Sequence, residues 1–168
     1  MRVDYMSIRI IITGGTFDKH YDEIQGVLTF KDTHLPEILE QVRCTVEIKL
    51  ELNQLIDSLE MRHANRLQIL EAAQRAPEQR IIITHGTDTM TETAKVLGEA
   101  GLDKVIVLTG AMIPYTFKNS DAVFNLGCSI VAVQLLPPGV YIVMNGRVFS
   151  WQNVYKDREK GIFTELSR

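Results

Sequence analysis

The stretch IIITHGTDTMTETAKVL, residues 81–97, opens as a β-branched run and turns abruptly polar at Thr84. Residues 80–84 read as a short strand buried on both faces. Residues 89–100 then carry helical spacing and stop at Gly101, a residue suited to the left-handed position that ends helices. The same unit recurs along the chain. Residues 8–13 (IRIIIT) and 104–109 (KVIVLT) are apolar runs that end in Thr and pass straight into glycine. A long apolar helix is predicted over 120–135, capped by Ser120 or Asp121 and broken by PPG at 137–139, before a strand at 140–144. Asn145-Gly146 marks a hairpin into RVFSW. Residues 42–52 alternate, with Val46, Ile48, Leu50 and Leu52 on one side and Glu47, Lys49 and Glu51 on the other, as in a half-buried strand near an edge. Residues 60–75 place Met61, Leu67, Leu70 and Ala73 on a helical stripe. Strands alternating with helices require crossover connections. The expected fold is therefore α/β: three layers, a mostly parallel sheet with helices on both faces.

Composition narrows the function. The 168 residues suit one domain, 1–168, with no repeat or linker. Net charge is −3, which gives no electrostatic footprint for nucleic acid. No apolar run approaches the ~18 residues of a membrane span. The opening MRVDYMSIRI lacks the apolar core of a signal peptide, and Met6 is an alternative start to Met1. Cys44 and Cys128 lie far apart and read as reduced thiols of a cytoplasmic protein. The histidines at 20, 34, 63 and 85 have no ligand spacing, so no metal site is expected.

In parallel sheets, ligands bind beyond the carboxyl ends of the strands. That rule selects three loops: TGGT at 13–16, THGTD at 84–88 and TGAMIP at 109–114. The glycines of TGGT permit positive φ and close backbone approach, and the motif matches no phosphate-loop pattern. In HGTDTM, Asp88 or Thr89 reads as a cap for the following helix, with Glu92 favoured by the helix dipole. Capping leaves Thr84 and Thr87 unexplained. A threonine hydroxyl beside helix N–H groups reads equally as a nucleophile or proton relay. His85, between a strand and a glycine, reads as structural. Lys156, in WQNVYKD, acts as a base only if its surroundings favour the neutral amine.

Together these segments resemble the bacterial-type L-asparaginase family, in its N-terminal catalytic domain. The resemblance is carried by TGGT at 13–16, DSLEM at 57–61, THGTDTMTETA at 84–94, LTGAMIP at 108–114 with SDAVFNL at 120–126, and MNGRVFSWQNVYK at 144–156. It implies an amidohydrolase that converts L-asparagine to L-aspartate and ammonia, with some L-glutamine activity. By motif position it implies Thr16 as nucleophile, forming an acyl-enzyme. Thr87 is the second threonine, activated by Lys156, and Asp88 is the acid that binds the α-amino group. It also assigns Ser58 to the α-carboxylate, with Gly15, Gly86 and Ala111 lining the substrate. No cofactor is implied, and a homodimer or larger homo-oligomer is.

The sequence departs from that family in two places. It ends at Arg168, so the second, C-terminal domain is expected to be absent, and with it an acid that the family brings near the nucleophile. The stretch after TGGT is FDKHYDEIQG, where Tyr21, the counterpart of the family's activating tyrosine, stands close to Thr16 in sequence. Among Asp18, Asp22 and Glu23, one acid, for instance Glu23, is the expected substitute for the missing group. Three other functions fit the residues: a hydrolase of another small amide, a non-catalytic amino-acid-binding module, and an amidotransferase subunit that passes ammonia to a partner.

Overall fold

The structure, a computed structural model, describes residues 7–166. Met1 and Met6, the two candidate starts, lie outside the described residues. Ten strands and four helices follow the order β1 (Ile8–Gly14), β2 (His20–Asp22), β3 (Val27–Thr29), α1 (Leu35–Gln41), β4 (Ile48–Ile56), α2 (His63–Arg75), β5 (Arg80–Thr84), α3 (Met90–Glu99), β6 (Val105–Thr109), α4 (Ala122–Leu135), β7 (Gly139–Met144), β8 (Arg147–Ser150), β9 (Tyr155–Asp157) and β10 (Ile162–Thr164) among these residues. Six strands form one sheet in the order β4-β1-β5-β6-β7-β8. All neighbours are parallel except β7 and β8. That last pair is joined at Asn145 and Gly146, both at positive φ (48° and 86°), as a tight hairpin turn requires.

The apolar runs become central strands because each strand has two faces to bury. Ile8, Ile10 and Ile12 of β1 point into a cluster with Leu35 and Ile38 of α1 and Leu126, Ile130 and Val133 of α4. Ile11 points the other way, with Ile81 and Ile83, toward Ile69 and Ala72 of α2 and Met90, Ala94 and Leu97 of α3. The result is the expected three-layer α/β fold.

Four expectations need correction. The strand anticipated at 42–52 runs from Ile48 to Ile56. It is an edge strand as expected, and Val46 and Ile48 of its apolar side pack against the core, but Leu50 and Leu52 are exposed and Glu51 on the other side is partly buried beside Arg9 and Arg75. Ion pairing, which alternation does not register, sets that face. Along residues 60–75, Met61, Leu70 and Ala73 join the core as expected together with Ile69 and Ala72, but Leu67 is exposed. Asp121 occupies the N-cap position of α4 without capping it. Its carboxylate turns back to accept the N–H groups of Met112 and Ile113, and Ser120 Oγ accepts the N–H of Ala122 instead. Thr89 likewise precedes α3 without a side-chain cap bond.

The topology also locates a crevice. β1 and β5 are adjacent, but the chain leaves β1 toward α1 on one face and leaves β5 toward α3 on the other. The loops after the two strands therefore diverge, and a cleft opens between them.

Candidate active site

The glycines at the ends of β1 and β5 bring the two loops into contact. Gly15 has φ 75°, and a Cβ there would lie 2.4 Å from Gly86 N. A Cβ on Gly86 would in turn lie 2.5 Å from Ser58 Oγ. Three segments far apart in sequence thus touch through positions where only hydrogen fits. Thr16 and Thr87 each follow one of these glycines, so backbone contact at Gly15–Gly86 brings together the two loops that carry them.

Lys156 reaches this point from β9. Its Nζ donates to Thr87 Oγ1 and to Asp88 Oδ1, each at 2.8 Å. The lysine side chain is only 14% exposed, so the pair is held largely out of water. Arg158 adds a second cation that sequence reading did not single out: it donates to the Asp88 carbonyl at 3.2 Å, with Nε 3.9 Å from Asp88 Oδ1. Thr87 is buried. This arrangement couples a hydroxyl, an amine and a carboxylate in a line, the geometry of a proton relay.

Ser58 is buried against the same cleft, its Oγ accepting the N–H of Thr89 at 3.3 Å. Thr89 Oγ1 donates to Ser58 O at 2.8 Å. The hydroxyl expected to cap the helix is instead a tie between the two loops. Gly110 lies close enough to His85 that a Cβ would meet its carbonyl oxygen at 2.3 Å, which carries Ala111, almost fully buried, to the same end of the sheet. Asp121 holds this third loop through the amide bonds already described and through Asn145 Nδ2. Burial pushes the Asp121 carboxyl upward, but these donors outweigh it and hold the group below the ordinary carboxylate range.

Two of the three threonines that close the strands, Thr13 and Thr109, are structural, whereas the buried Thr84 hydroxyl makes no hydrogen bond among the described residues. Thr13 Oγ1 donates to Thr84 O at 2.7 Å and Thr109 Oγ1 to Val143 O at 2.8 Å, both fully buried. They stitch neighbouring strands and do not face the cleft. His85 is also structural, as expected, bonded through Nδ1 to Gly86 O and through Nε2 to Thr93 Oγ1, both at 2.7 Å. Burial lowers its pKa to about 4, so it is a neutral ring.

Tyr21 is not drawn into the cluster. It lies on β2, 57% exposed, with its hydroxyl over the hairpin turn at Gly26. Asp22 Oδ1 accepts the N–H groups of Ile24 and Gln25 and so builds that turn, and Glu23 is exposed within it. The buried acid of the segment is Asp18. Sequence reading missed the ion pair between Lys19 and Asp57, at 2.6 Å, which ties the turn after Thr16 to the residue preceding Ser58. Among the described residues no group of three or more acids, histidines or cysteines is placed to hold a metal, and no helix is long and apolar enough to cross a membrane.

Comparison with known proteins adds the family. The profile described as "Asparaginase, N-terminal" matches residues 7–162. The chain is 30% identical over 171 aligned residues to a probable periplasmic L-asparaginase of Haemophilus influenzae, covering 96% of this chain and 49% of that protein. It is 32% identical to a glutamyl-tRNA(Gln) amidotransferase subunit of Aeropyrum pernix, over 83% of this chain and 35% of that one. Its fold matches the thermostable L-asparaginase from Thermococcus kodakarensis with a TM-score of 0.83 and 27% identity, over 97% of this chain and 52% of the other. The chain thus spans about half the length, or less, of these relatives.

Proposed function

The chain belongs to the asparaginase family, and from that premise we propose that it hydrolyses the side-chain amide of L-asparagine to L-aspartate and ammonia. The observation that carries this reading is the bifurcated contact of Lys156 Nζ with Thr87 Oγ1 and Asp88 Oδ1, at 2.8 Å each, on a loop that touches the Thr16 loop at Gly15–Gly86. The Thr16 hydroxyl adds to the amide carbon. The C–N bond breaks, the proton shed by the hydroxyl goes to the departing nitrogen, and ammonia leaves an ester on Thr16. Water then adds to that ester, its proton returns to Thr16 Oγ, and aspartate is released. Thr87, Lys156 and Asp88 move these protons. The positive end of α3, just beyond Asp88, favours the oxyanion formed in each half-reaction. Ser58, Gly15, Gly86 and Ala111 line the substrate, and Asp88 also offers a carboxylate to its ammonium. No cofactor enters this chemistry.

A binding module gains little from keeping Thr16, Thr87 and Lys156 together, because groups that act on a transition state add little to ground-state binding. A second reading, an ammonia-supplying component of an amidotransferase, is favoured by the likeness to the Aeropyrum pernix protein. We place the protein in the cytoplasm, where its free cysteines, Cys44 and Cys128, stay reduced. The exposed apolar stripe Phe124, Val131 and Leu135 on α4 supports self-association into a homodimer or larger homo-oligomer. The deciding measurement is ammonia release from L-asparagine by the protein beside Thr16→Ala and Thr87→Ala. Turnover lost in both variants supports the hydrolase. An inactive parent whose melting temperature rises with asparagine or aspartate points instead to a binding or partner-dependent role.

A further inference from the structure

Asp18 has no part in the chemistry above, yet it is fully buried. It sits in the 3-10 turn Thr16–Asp18, which begins at the proposed nucleophile. Its carboxylate accepts three hydrogen-bond contacts from the segment that starts α1. Thr33 Oγ1 donates to both oxygens, at 3.1 and 3.2 Å, and His34 N–H donates to Oδ1 at 2.9 Å. Thr33 Oγ1 in turn accepts the N–H of Leu35. The opposite side of the turn is held by Lys19 on Asp57, and Tyr115 N–H reaches Phe17 O at 3.4 Å. The turn is therefore held on several sides, and the Asp18 contacts are its tie to α1.

A carboxylate is an expensive way to make that tie. Removing an ionised group from water costs more than burying a neutral amide of the same shape, and an asparagine oxygen can accept the His34 N–H equally well. Resting on the hydrolase reading, we propose that Asp18 is a positioning residue: its charged carboxylate fixes the Thr16 turn against the start of α1, at a cost in stability.

Two donors, the Thr33 hydroxyl and the His34 N–H, converge on the carboxylate and favour its charged form, while burial opposes it. Protonation would turn one contact around, the new O–H donating to Thr33 Oγ1 in place of accepting from it, so the charge-assisted tie gives way to a weaker neutral one. Burial pushes Asp18 up to about 6, against the hydrogen bonds that favour its ionised form. The charged and titratable neighbours are His20 on β2, Asp32 in the approach to α1, His34 and Glu37 at its start, and Tyr115 from the loop before α4. His20 stabilises the ionised form and Asp32 opposes it.

The experiment compares the parent with Asp18→Asn, Thr33→Val and Thr33→Ser. It measures melting temperature at pH 7.5, amide exchange across residues 16–35, and kcat and KM against pH. The expected result for Asp18→Asn is a melting temperature unchanged or raised and faster exchange at residues 16–19 and 34. Its kcat should drop about tenfold or more, with KM little changed. The parent's kcat should decline below about pH 6, and that limb should vanish in Asp18→Asn. Thr33→Val should share the local loosening and Thr33→Ser should restore it. A marked fall in the melting temperature of Asp18→Asn would make the acid merely structural and overturn the proposal. So would unchanged exchange and kcat. If the parent cleaves no amide, the hydrolase reading fails by itself. The exchange and melting arms still judge the tie, with local loosening at undiminished stability supporting it and any other result overturning it.

Discussion

Gly15→Ala should abolish most activity while leaving a folded protein. The new methyl would lie 2.4 Å from Gly86 N, 2.5 Å from Gly86 Cα and 2.8 Å from the His85 carbonyl carbon. All three are backbone atoms, so no side chain can swing aside. Ordinary contact begins near 3.4 Å. The two loops must then part by about 1 Å, a misplacement able to cost about a hundredfold in rate. Alanine at φ 75° and ψ −178°, a region held almost solely by glycine, adds about 1–3 kcal/mol of backbone strain. At about 2–4 °C per kcal/mol for a chain of this size, strain alone lowers the melting temperature by about 2–12 °C. Gly101→Ala is the control, since Gly101 has φ 62° but nothing within 4 Å of its Cβ position. It carries the strain without the displacement and should retain full activity. The assay is ammonia release at saturating asparagine, with thermal melts of both variants. If Gly15→Ala turns over at the parental rate, or if Gly101→Ala loses as much, contact between the two glycine loops does not align Thr16 with Thr87.

Two further outcomes are expected. Lys156→Met should lower the rate by about 10²–10⁴-fold, the usual range for losing a general base. Lys156→Arg should not rescue it, because a guanidinium keeps its proton. Equal activity in either variant removes lysine from the relay. Stability against pH should reveal two buried groups that oppose one another. His85 has an ordinary value of 6.5 and is lowered to about 4, so the unfolded chain takes up its proton first. Its contribution is complete above 6.5 and lost as pH falls toward 4. Asp18 is raised from 3.8 to about 6, so the folded chain retains a proton that the unfolded chain has released. Its contribution is complete below 3.8 and lost as pH rises to about 6. Each amounts to roughly 3 kcal/mol at about 1.4 kcal/mol per pH unit, so between about pH 4 and 6 they offset. Asp18→Asn should uncover the acid sensitivity of His85 as a steeper fall in melting temperature below pH 6. Parallel melting curves for parent and variant would refute this balance.

The central strands were legible because burial on both faces leaves an unbroken apolar run, as in residues 8–13 and 80–84. The glycine loops at their ends were legible because close backbone approach admits no other residue. Lys156 is suggested by motif alone, since nothing in WQNVYKD indicates that β9 would carry it 69 residues back to Thr87. The alternation of β4 overstates the contrast between its faces, because Leu50 and Leu52 lie exposed at the sheet edge while Arg9 and Arg75, from two different elements, pair with Glu51 on the other side. In sequence Asp18 is only one acid among three. Its burial depends on Thr33 and His34, which lie across a hairpin and become neighbours only in the folded chain. Local pattern reports what an element needs from its own neighbours in sequence. It is silent on a partner supplied from elsewhere.

Among the described residues, the strand that bears Lys156 pairs only with β10, in a two-stranded sheet separate from the six-stranded one. Such ribbons are marginal by themselves, and this one is anchored to the core chiefly through Val154 and Phe163. Opening it breaks none of the strand pairings of the central sheet. The lysine can therefore depart while the fold persists, and on gentle heating the relay should be dismantled in a partial, reversible opening at temperatures below the global transition. On the hydrolase reading, catalytic life and structural life are in that sense separate properties of this chain, and the hydrophobic seating of one short ribbon determines how far apart they lie.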